Sequence, residues 1–448
     1  MSIEEGAARA RFATSLGTML TMIGVAVGLG NVWRFPYMVG RFGGAAFVVV
    51  YLLLVALIGV PALLAEWTLG RNTRRGTVGA FERAGLPGGR ALGWAFFFVV
   101  AAATAYYTNV VGWVGFYALS EVARLLGATL EAARVLPSES TPVLGSVLRQ
   151  VLCTGIVVLS CAVVLRRGVA AGTERVSRWV MPLVFGILLV LVLRSVTLPG
   201  SKAGLLWYLG HFEWAALTPA VVLAALGQAV FSLSLGGTFM VVYGSYLGEE
   251  QPLVGSALIT ALGDAGAGLL AGLAIFPALF ALGGEPGSGP GLVFVTLPQV
   301  FEAMPWGALF GLLFFLGLAG AAFLSDVAAF EVLVAGLTDN TRLTRTQAVW
   351  SVVLLVSILA LPPMLSMRIF APWDLVFGSG MQTLGLLLAV LTVGWCLDRG
   401  RALQSMVGTE TGLAARLLWW WVRFLIPAAV VAVGVWWVWT EVLRRGGW

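Results

Sequence analysis

Long apolar runs recur from one end of the chain to the other, and they restrict the fold more than any other feature of the sequence. Such a run crosses the ~30 Å hydrocarbon layer of a bilayer as a helix. We therefore predict an all-α polytopic membrane protein that forms a single transmembrane domain over residues 1–448, with a lipid bilayer around it. Eleven spans are expected, at about 12–38, 43–70, 91–124, 147–166, 174–196, 219–247, 253–284, 305–338, 346–366, 373–398 and 418–442.

The composition agrees with this class and excludes a soluble globular protein. Hydrophobic residues make up 59% of the chain and charged residues only 11%. The net charge of +6 does not indicate a nucleic-acid partner, because the basic residues lie in short loops between apolar runs. The three cysteines lie inside apolar runs and lack the spacing of metal ligands.

Clusters of arginine predict the orientation in a cell (inner) membrane. Basic loops face the cytoplasm, which places the N-terminus inside and the C-terminus outside. The clusters follow the second span, separate the fourth span from the fifth, and separate the tenth from the eleventh; they comprise Arg71, Arg74, Arg75, Arg83, Arg90, Arg166, Arg167, Arg175, Arg178, Arg399, Arg401 and Arg416.

Two spans carry residues that a simple membrane helix does not need. The first contains Gly24–Pro36, with three glycines, an amide, a guanidinium and a proline, and the sixth contains Gly227–Thr238. A helix broken at membrane depth exposes polar backbone groups, which persist only beside protein, water or a ligand. Because the two spans lie five apart, we predict a 5+5 inverted repeat (about 12–196 and 219–398, plus a helix at 418–442) with discontinuous helices 1 and 6.

Broken helices offer a particular chemistry. Free amides at a half-helix N-terminus favour a carboxylate, and freed carbonyls suit Na⁺. Side chains near the breaks add oxygen atoms to this set, namely Asn31, Ser232, Ser234, Asp264 and Ser325. A site with these two halves fits an amino acid that travels with sodium.

Four acids lie inside the spans, where ionisable residues are costly and usually functional. Glu66 and Glu331 lie towards span ends, so a structural pair and a transport role both remain open. Asp264 and Asp326 lie deeper, which favours function. The sole histidine, His211, lies in an outer loop without companion ligands or a nucleophile, so we expect no enzyme.

Several segments together resemble the neurotransmitter:sodium symporter family, in particular its bacterial amino-acid transporters. They are Gly24–Pro36, Tyr106–Tyr107, Gly227–Gly237 and Tyr243–Tyr246, and the resemblance covers nearly the whole chain. It implies a sodium-coupled secondary-active symporter that imports an α-amino acid by alternating access. An eleven-span chain also occurs among bacterial members.

The resemblance implies the residues of each site. A first sodium ion would be bound by the Ala26 carbonyl, Asn31, Ser232, Asp264 and the substrate carboxylate, and a second by Gly24, Val27, Ala321 and Ser325. The gates would comprise Arg34, Gln228 and Asp374 outside and Arg9, Tyr246 and Asp339 inside. The substrate would be bound by Val25, Ala26, Leu29, Gly30, Ala103, Tyr107, Phe231, Ser232, Ser234, Gly237, Ser325, Asp326 and Ala329.

Two positions bear on what is transported. Gly28 stands where monoamine transporters of the family carry an aspartate, which favours an α-amino acid over an amine. Tyr51, Gln228 and Ser232 match the chloride site of animal members, but Gly268 replaces its serine while Asp264 supplies a negative charge. Chloride independence follows as a prediction, with proton counter-transport through Asp264 as a further hypothesis.

Two departures from the family pattern leave alternatives open. Leu324 replaces a hydroxyl ligand of the second sodium site, so that site is weakened, absent, or completed by Asp326 or water, and one or two Na⁺ ions are expected. Asp326 favours a polar or cationic substrate, or acts as a displaced ligand or proton carrier. The small residues Ala103, Gly237 and Ala329 favour a hydrophobic or aromatic substrate, which we prefer.

The remaining hypotheses are a proton-coupled or single-sodium transporter of a polar or cationic amino acid, and an amino-acid sensor that does not transport. The chain is expected to be a monomer or a homodimer.

Overall fold

The computed structural model describes residues 12–287 and 291–443, and this part of the chain contains helices but no β-strand. Arg9, predicted to belong to the inner gate, lies outside the described residues. Within them, nine helices are long and apolar enough to cross a membrane, namely Ala45–Thr73, Gly89–Leu125, Leu144–Arg166, Val169–Val196, Leu253–Ala281, Gly307–Asn340, Arg345–Leu365, Met367–Cys396 and Leu413–Thr440.

The first predicted span is broken, as the sequence indicates. Its halves, Ser15–Ala26 and Gly30–Phe42, meet at an angle of 50° and form a tenth crossing when they are taken together. The sixth predicted span consists of Pro219–Ser232 and Phe239–Gly244, each too short to cross alone. The count of eleven spans and the inverted repeat therefore remain predictions.

Local sequence explains the break in the sixth span. Thr218 caps the first half-helix by accepting a hydrogen bond from the Val221 amide, and Pro219 occupies its first turn. After Ser232, left-handed backbone occurs at Ser234, Gly236 and Thr238, with φ of +52°, +84° and +57°. A right-handed helix cannot pass through such residues. Gly236 is also required sterically, because a Cβ atom there would overlap the Gln382 carbonyl of the tenth span.

Two segments differ in detail from the prediction. The fifth span begins at Val169, before the predicted residue 174, because a π-helical turn over Val169–Glu174 precedes the regular helix. A further apolar helix, Leu292–Ala303, lies between the predicted seventh and eighth spans. One of its faces is buried, with the Phe294 ring against Trp33 and Tyr117.

The broken spans lie inside the bundle. The third span, Gly89–Leu125, packs along the eighth, Gly307–Asn340, and residues of both helices approach the break of the first span. Apolar residues of the fourth, fifth and eleventh spans are extensively exposed, as expected for helices that face lipid. The fold thus places polar, unwound backbone at its centre.

Candidate functional site

The break in the first span is stabilised by side chains from neighbouring helices. The Gly28 amide donates to Asn31 Oδ1 (3.0 Å), so a side chain inside the second half-helix holds the backbone that leads into it. The Val25 carbonyl accepts from Ser234 (2.8 Å), and the Val27 carbonyl accepts from Ser325 (3.1 Å). The carbonyls of Gly24 and Ala26 accept no hydrogen bond from the described residues.

Three of the predicted ligands of the first sodium ion form one hydrogen-bonded group. Asn31 Nδ2 donates to Ser232 Oγ (3.0 Å) and to Asp264 Oδ1 (2.7 Å), and Ser232 donates to Asp264 Oδ2 (2.7 Å). All three side chains are buried. Asn31 turns its amide nitrogen towards the carboxylate, so sodium binding there would require the amide oxygen to turn inwards. The Ala26 carbonyl at the break is the fourth predicted protein ligand.

Tyr51 joins this group from the second span. Its hydroxyl lies 3.3 Å from both Ser232 Oγ and Asp264 Oδ2. One carboxylate oxygen of Asp264 is therefore surrounded by the hydroxyls that the sequence analysis assigned to a chloride site. A carboxyl group of the chain thus lies among residues that match the chloride site of animal members.

The predicted carboxylate site lies beside this group. The Leu29 amide donates to the Tyr107 hydroxyl (3.3 Å), and Tyr107 is also hydrogen-bonded to Ser325. Gly28 faces both hydroxyls: a Cβ atom there would overlap Ser325 Oγ and lie 2.8 Å from the Tyr107 oxygen. A glycine is thus required at this position for steric reasons.

The predicted second sodium site has fewer polar groups. Ser325 contacts the Val27 carbonyl at the break, and Ala321 lies one turn before Ser325 on the eighth span. Gly24 lies three residues before Val27. Leu324 is buried, and its Cδ1 methyl lies 3.0 Å from the position of a Cβ atom on Gly24. The Leu324 side chain, which has no oxygen atom, therefore lies beside Gly24, one of the residues predicted to supply a carbonyl ligand.

Asp326 does not lie where the sequence analysis placed it. Its Oδ1 atom contacts the Thr108 hydroxyl (3.0 Å), and its Oδ2 atom lies 3.8 Å from Cys161 Sγ. This buried carboxyl group faces the third and fourth spans and does not line the central cavity. The difference arises because consecutive helix residues point about 100° apart, so Asp326 diverges from Ser325.

A central cavity joins the predicted residues. The space within it that is open to the centre of a water-sized sphere is about 60 Å³. Phe239 and Gln382 were not expected among the lining residues. Of the predicted residues, Val25, Ser232, Gly237 and Asp326 do not line it; the lining is formed by Ala26, Gly28, Leu29, Gly30, Ala103, Thr104, Tyr106, Tyr107, Phe231, Ser234, Phe239, Ser325, Ala329 and Gln382.

The predicted outer gate lies above this cavity. The Arg34 guanidinium lies 4.2 Å from the centre of the Phe231 ring, a cation–π contact. Gln228 donates to the Gly30 carbonyl (2.9 Å), and Tyr106 is hydrogen-bonded to Asp374. The structure thus connects the three gate residues to residues around the cavity.

At the inner end, the two described gate residues have separate partners. The Tyr246 hydroxyl donates to Glu331 Oε1 (2.7 Å), and the Gly76 amide donates to Asp339 Oδ2 (2.7 Å). Glu331 forms a buried ion pair with Arg345, at 2.6 Å. Glu66, the other acid near a span end, accepts from the Gly236 amide (2.7 Å) and so supports the break in the sixth span.

Glu174 provides an inner contact that the sequence analysis did not identify. Its carboxylate accepts from the Ala13 amide (2.7 Å) and the Thr14 hydroxyl (2.8 Å), and Arg178 donates to both Glu174 and Thr14. Glu174 is buried at the end of the π-helical turn that begins the fifth span. Glu174 is the first residue of the predicted fifth span, and a charged residue at the end of a span does not indicate a contact of this kind.

Comparisons with known proteins agree with this geometry. The profile of the sodium:neurotransmitter symporter family matches residues 9–130 and 133–441. The chain belongs to this family.

Similarity to individual members of the family extends over nearly the whole chain. A sodium-dependent transporter of Bacillus subtilis, YhdH, is 32% identical over 94% of this chain and 96% of its own. A GABA transporter 2 of Bos taurus, named sodium- and chloride-dependent, is 28% identical over 96% of this chain and 80% of its own. The crystal structure of MhsT in complex with L-phenylalanine superposes with a TM-score of 0.85, at 33% identity, over 96% of this chain and 99% of MhsT.

Membership of the family agrees with the fold class predicted from the sequence. The symporter family comprises membrane transporters, so an enzymatic role has no support from the relatives.

Proposed function

We propose that this protein imports an α-amino acid with a hydrophobic or aromatic side chain, driven by the sodium gradient. One observation carries the proposal: a cavity formed by unwound backbone and Tyr107 lies beside the buried oxygen group of Asn31, Ser232 and Asp264. The sodium-dependent relatives support sodium coupling, and the phenylalanine complex of MhsT supports an amino-acid substrate.

The substrate head group has partners at the breaks. Its carboxylate would accept hydrogen bonds from the Gly30 amide and the Tyr107 hydroxyl, at the positive end of the second half-helix. Its amine would donate to the Ala26, Phe231 and Ser232 carbonyls. The substrate carboxylate also completes the first sodium site, so that ion and substrate stabilise each other, which is reciprocal coupling.

Chloride is not needed in this arrangement. Asp264 Oδ2 accepts from Ser232 and lies beside the Tyr51 hydroxyl, so its negative charge balances a sodium ion. We expect uptake to be unchanged when gluconate replaces chloride. Uptake that rises with chloride would contradict this part of the proposal.

The chain is expected to have its N-terminus in the cytoplasm and its C-terminus outside. Spans 1, 2, 6 and 7 would rock against the remaining spans to open the site to each side in turn.

The proposal is tested on the purified full-length protein with a thermal-shift screen of the twenty amino acids, in sodium and in potassium. A ligand that binds the folded state raises the melting temperature by mass action. We expect stabilisation by hydrophobic or aromatic amino acids in sodium alone, and uptake of the same compounds into proteoliposomes. If no amino acid stabilises the protein in sodium, the proposal is wrong.

A single-sodium or proton-coupled transporter is the second candidate, and Leu324 favours it. The leucine methyl beside Gly24 replaces an oxygen ligand of the second site. Sodium and proton gradients imposed separately across proteoliposomes distinguish the candidates: uptake driven by the proton gradient alone would support the second one.

A further inference from the structure

Phe239 contributes an aromatic surface to the lining of the cavity. Its ring packs directly on Gly237, where a Cβ atom would overlap the ring. Ala103 and Ala329 line the same cavity with small side chains. A flat, wide substrate side chain fits between small residues and an aromatic face, because stacked or edge-on ring contacts are favourable.

The lining of the cavity also includes a side-chain amide that has no hydrogen-bonding partner among the described residues. Gln382 lines the cavity from the tenth span, and its side chain forms no hydrogen bond with any described residue. The other polar side chains nearby are engaged: Thr104 donates to the Val100 carbonyl (2.7 Å), and Tyr106 is hydrogen-bonded to Asp374. An amide both donates and accepts, so it can pair with a hydroxyl or with an N–H group.

Asp326 does not compete for this role. Its carboxyl group faces Thr108 and Cys161, outside the cavity. A polar group at the far end of a substrate would therefore meet Gln382 in a mainly apolar surrounding. Binding a purely apolar side chain there removes water from the amide and returns no hydrogen bond, which lowers affinity.

We propose that the substrate is an aromatic amino acid with a hydrogen-bonding group at the end of its side chain, a phenol or an indole N–H, and that Gln382 recognises this group. The inference rests on the proposed function and specifies the substrate class of the same site. Phe239 provides the aromatic surface, and Gln382 selects among rings by their polar end.

Matched ligand pairs test the inference, by affinity in sodium measured on the full-length protein. Tyrosine is compared with phenylalanine, and tryptophan with naphthylalanine, which lacks the N–H group. We expect the polar member to bind about 10-fold more tightly or better, as one hydrogen bond to an otherwise unpaired amide provides.

The variants Gln382→Leu and Gln382→Met should bring both ratios close to one by weakening the polar ligands alone. Retained phenylalanine affinity shows that a variant is folded, and Gln404→Leu, on the exposed inner helix Arg399–Val407, serves as the matched control. Equal affinities in the unmodified protein, or ratios that persist in both Gln382 variants, would overturn the inference.

Two further outcomes separate the inference from the function on which it rests. Sodium-dependent binding of aliphatic amino acids with no binding of aromatic ones would overturn the inference and leave the transporter proposal standing. Absence of sodium-dependent binding by every amino acid would overturn both.

Discussion

The two proposed sodium sites share the break in the first span but are built differently. The first contains a carboxylate, an amide and a hydroxyl from three spans, joined by hydrogen bonds of 2.7–3.0 Å. The second relies on backbone carbonyls and the hydroxyl of Ser325, with the Leu324 methyl beside them. One site has a full charge, and the other has only dipoles.

This difference in composition determines how strongly the sodium affinity of each site depends on its individual ligands. A buried carboxylate is costly unless donors or a cation satisfy it, so Asp264 favours an ion strongly. A site made of dipoles gains affinity from the number of its oxygen atoms, so the Leu324 methyl, which supplies no oxygen, leaves the second site weak. Substitutions should therefore have large effects at the first site and small effects at the second.

The largest effect is expected for Asp264→Ala. Loss of the carboxylate that the protein itself contributes should lower the sodium affinity by about 100-fold or more, since hydrogen bonds and ion contacts to a charged group are the strong ones. Sodium titration of substrate binding measures the change. An unchanged sodium dependence would show that the first site is not where the ion binds.

Gly28→Ala should come next, because it disturbs the residues between the two sites. The added methyl overlaps Ser325 Oγ and crowds the Tyr107 hydroxyl. We expect substrate affinity to fall by roughly 10–100-fold, since overpacking of a close-packed site costs roughly 1–3 kcal/mol. Gly155→Ala is the matched control, because its added methyl meets no atom within 4 Å. Equal affinities of the two variants would contradict the steric role of Gly28.

Leu324→Thr should reduce the difference in sodium affinity between the two sites, because it places a hydroxyl group at the second site. We expect the sodium affinity to rise by about 10-fold, the value of one good polar contact. Leu324→Val is the matched control, with the same branching and no hydroxyl. A gain in both variants would indicate relief of crowding and not a new ligand.

Ser325→Ala should have the smallest effect, about threefold or less on sodium affinity, if the second site is as weak as its composition indicates. Ser160→Ala, on an exposed face of the fourth span, is the matched control. A loss of sodium affinity as large as that of Asp264→Ala would show that both sites bind sodium with similar affinity. It would contradict the proposed difference between them.

Much of the architecture could be predicted from the sequence because hydrophobicity and backbone chemistry act locally. Apolar runs place the spans within a few residues, and Gly28 and Gly236 lie in the breaks. Side-chain directions could not be predicted, since they depend on how each helix is rotated against its neighbours. For this reason the prediction that Asp326 lines the cavity is wrong, and the sequence does not indicate Phe239 or Gln382 as lining residues. A structural pair was one expectation for Glu331, but its partner Arg345 could not be predicted.

The contact of Glu174 with the start of the first span has a mechanical consequence. The half-helix Ser15–Ala26 is fastened at both ends, by Ser234 and Ser325 at the break and by Glu174 and Arg178 near Thr14. Loss of the contacts at one end therefore leaves the half-helix held in place by the contacts at the other end. Movement of this half-helix away from the fifth span must break the three hydrogen bonds that Ala13 and Thr14 form with Glu174 and Arg178. Dissociation of the proposed sodium ion from the break does not remove these three bonds.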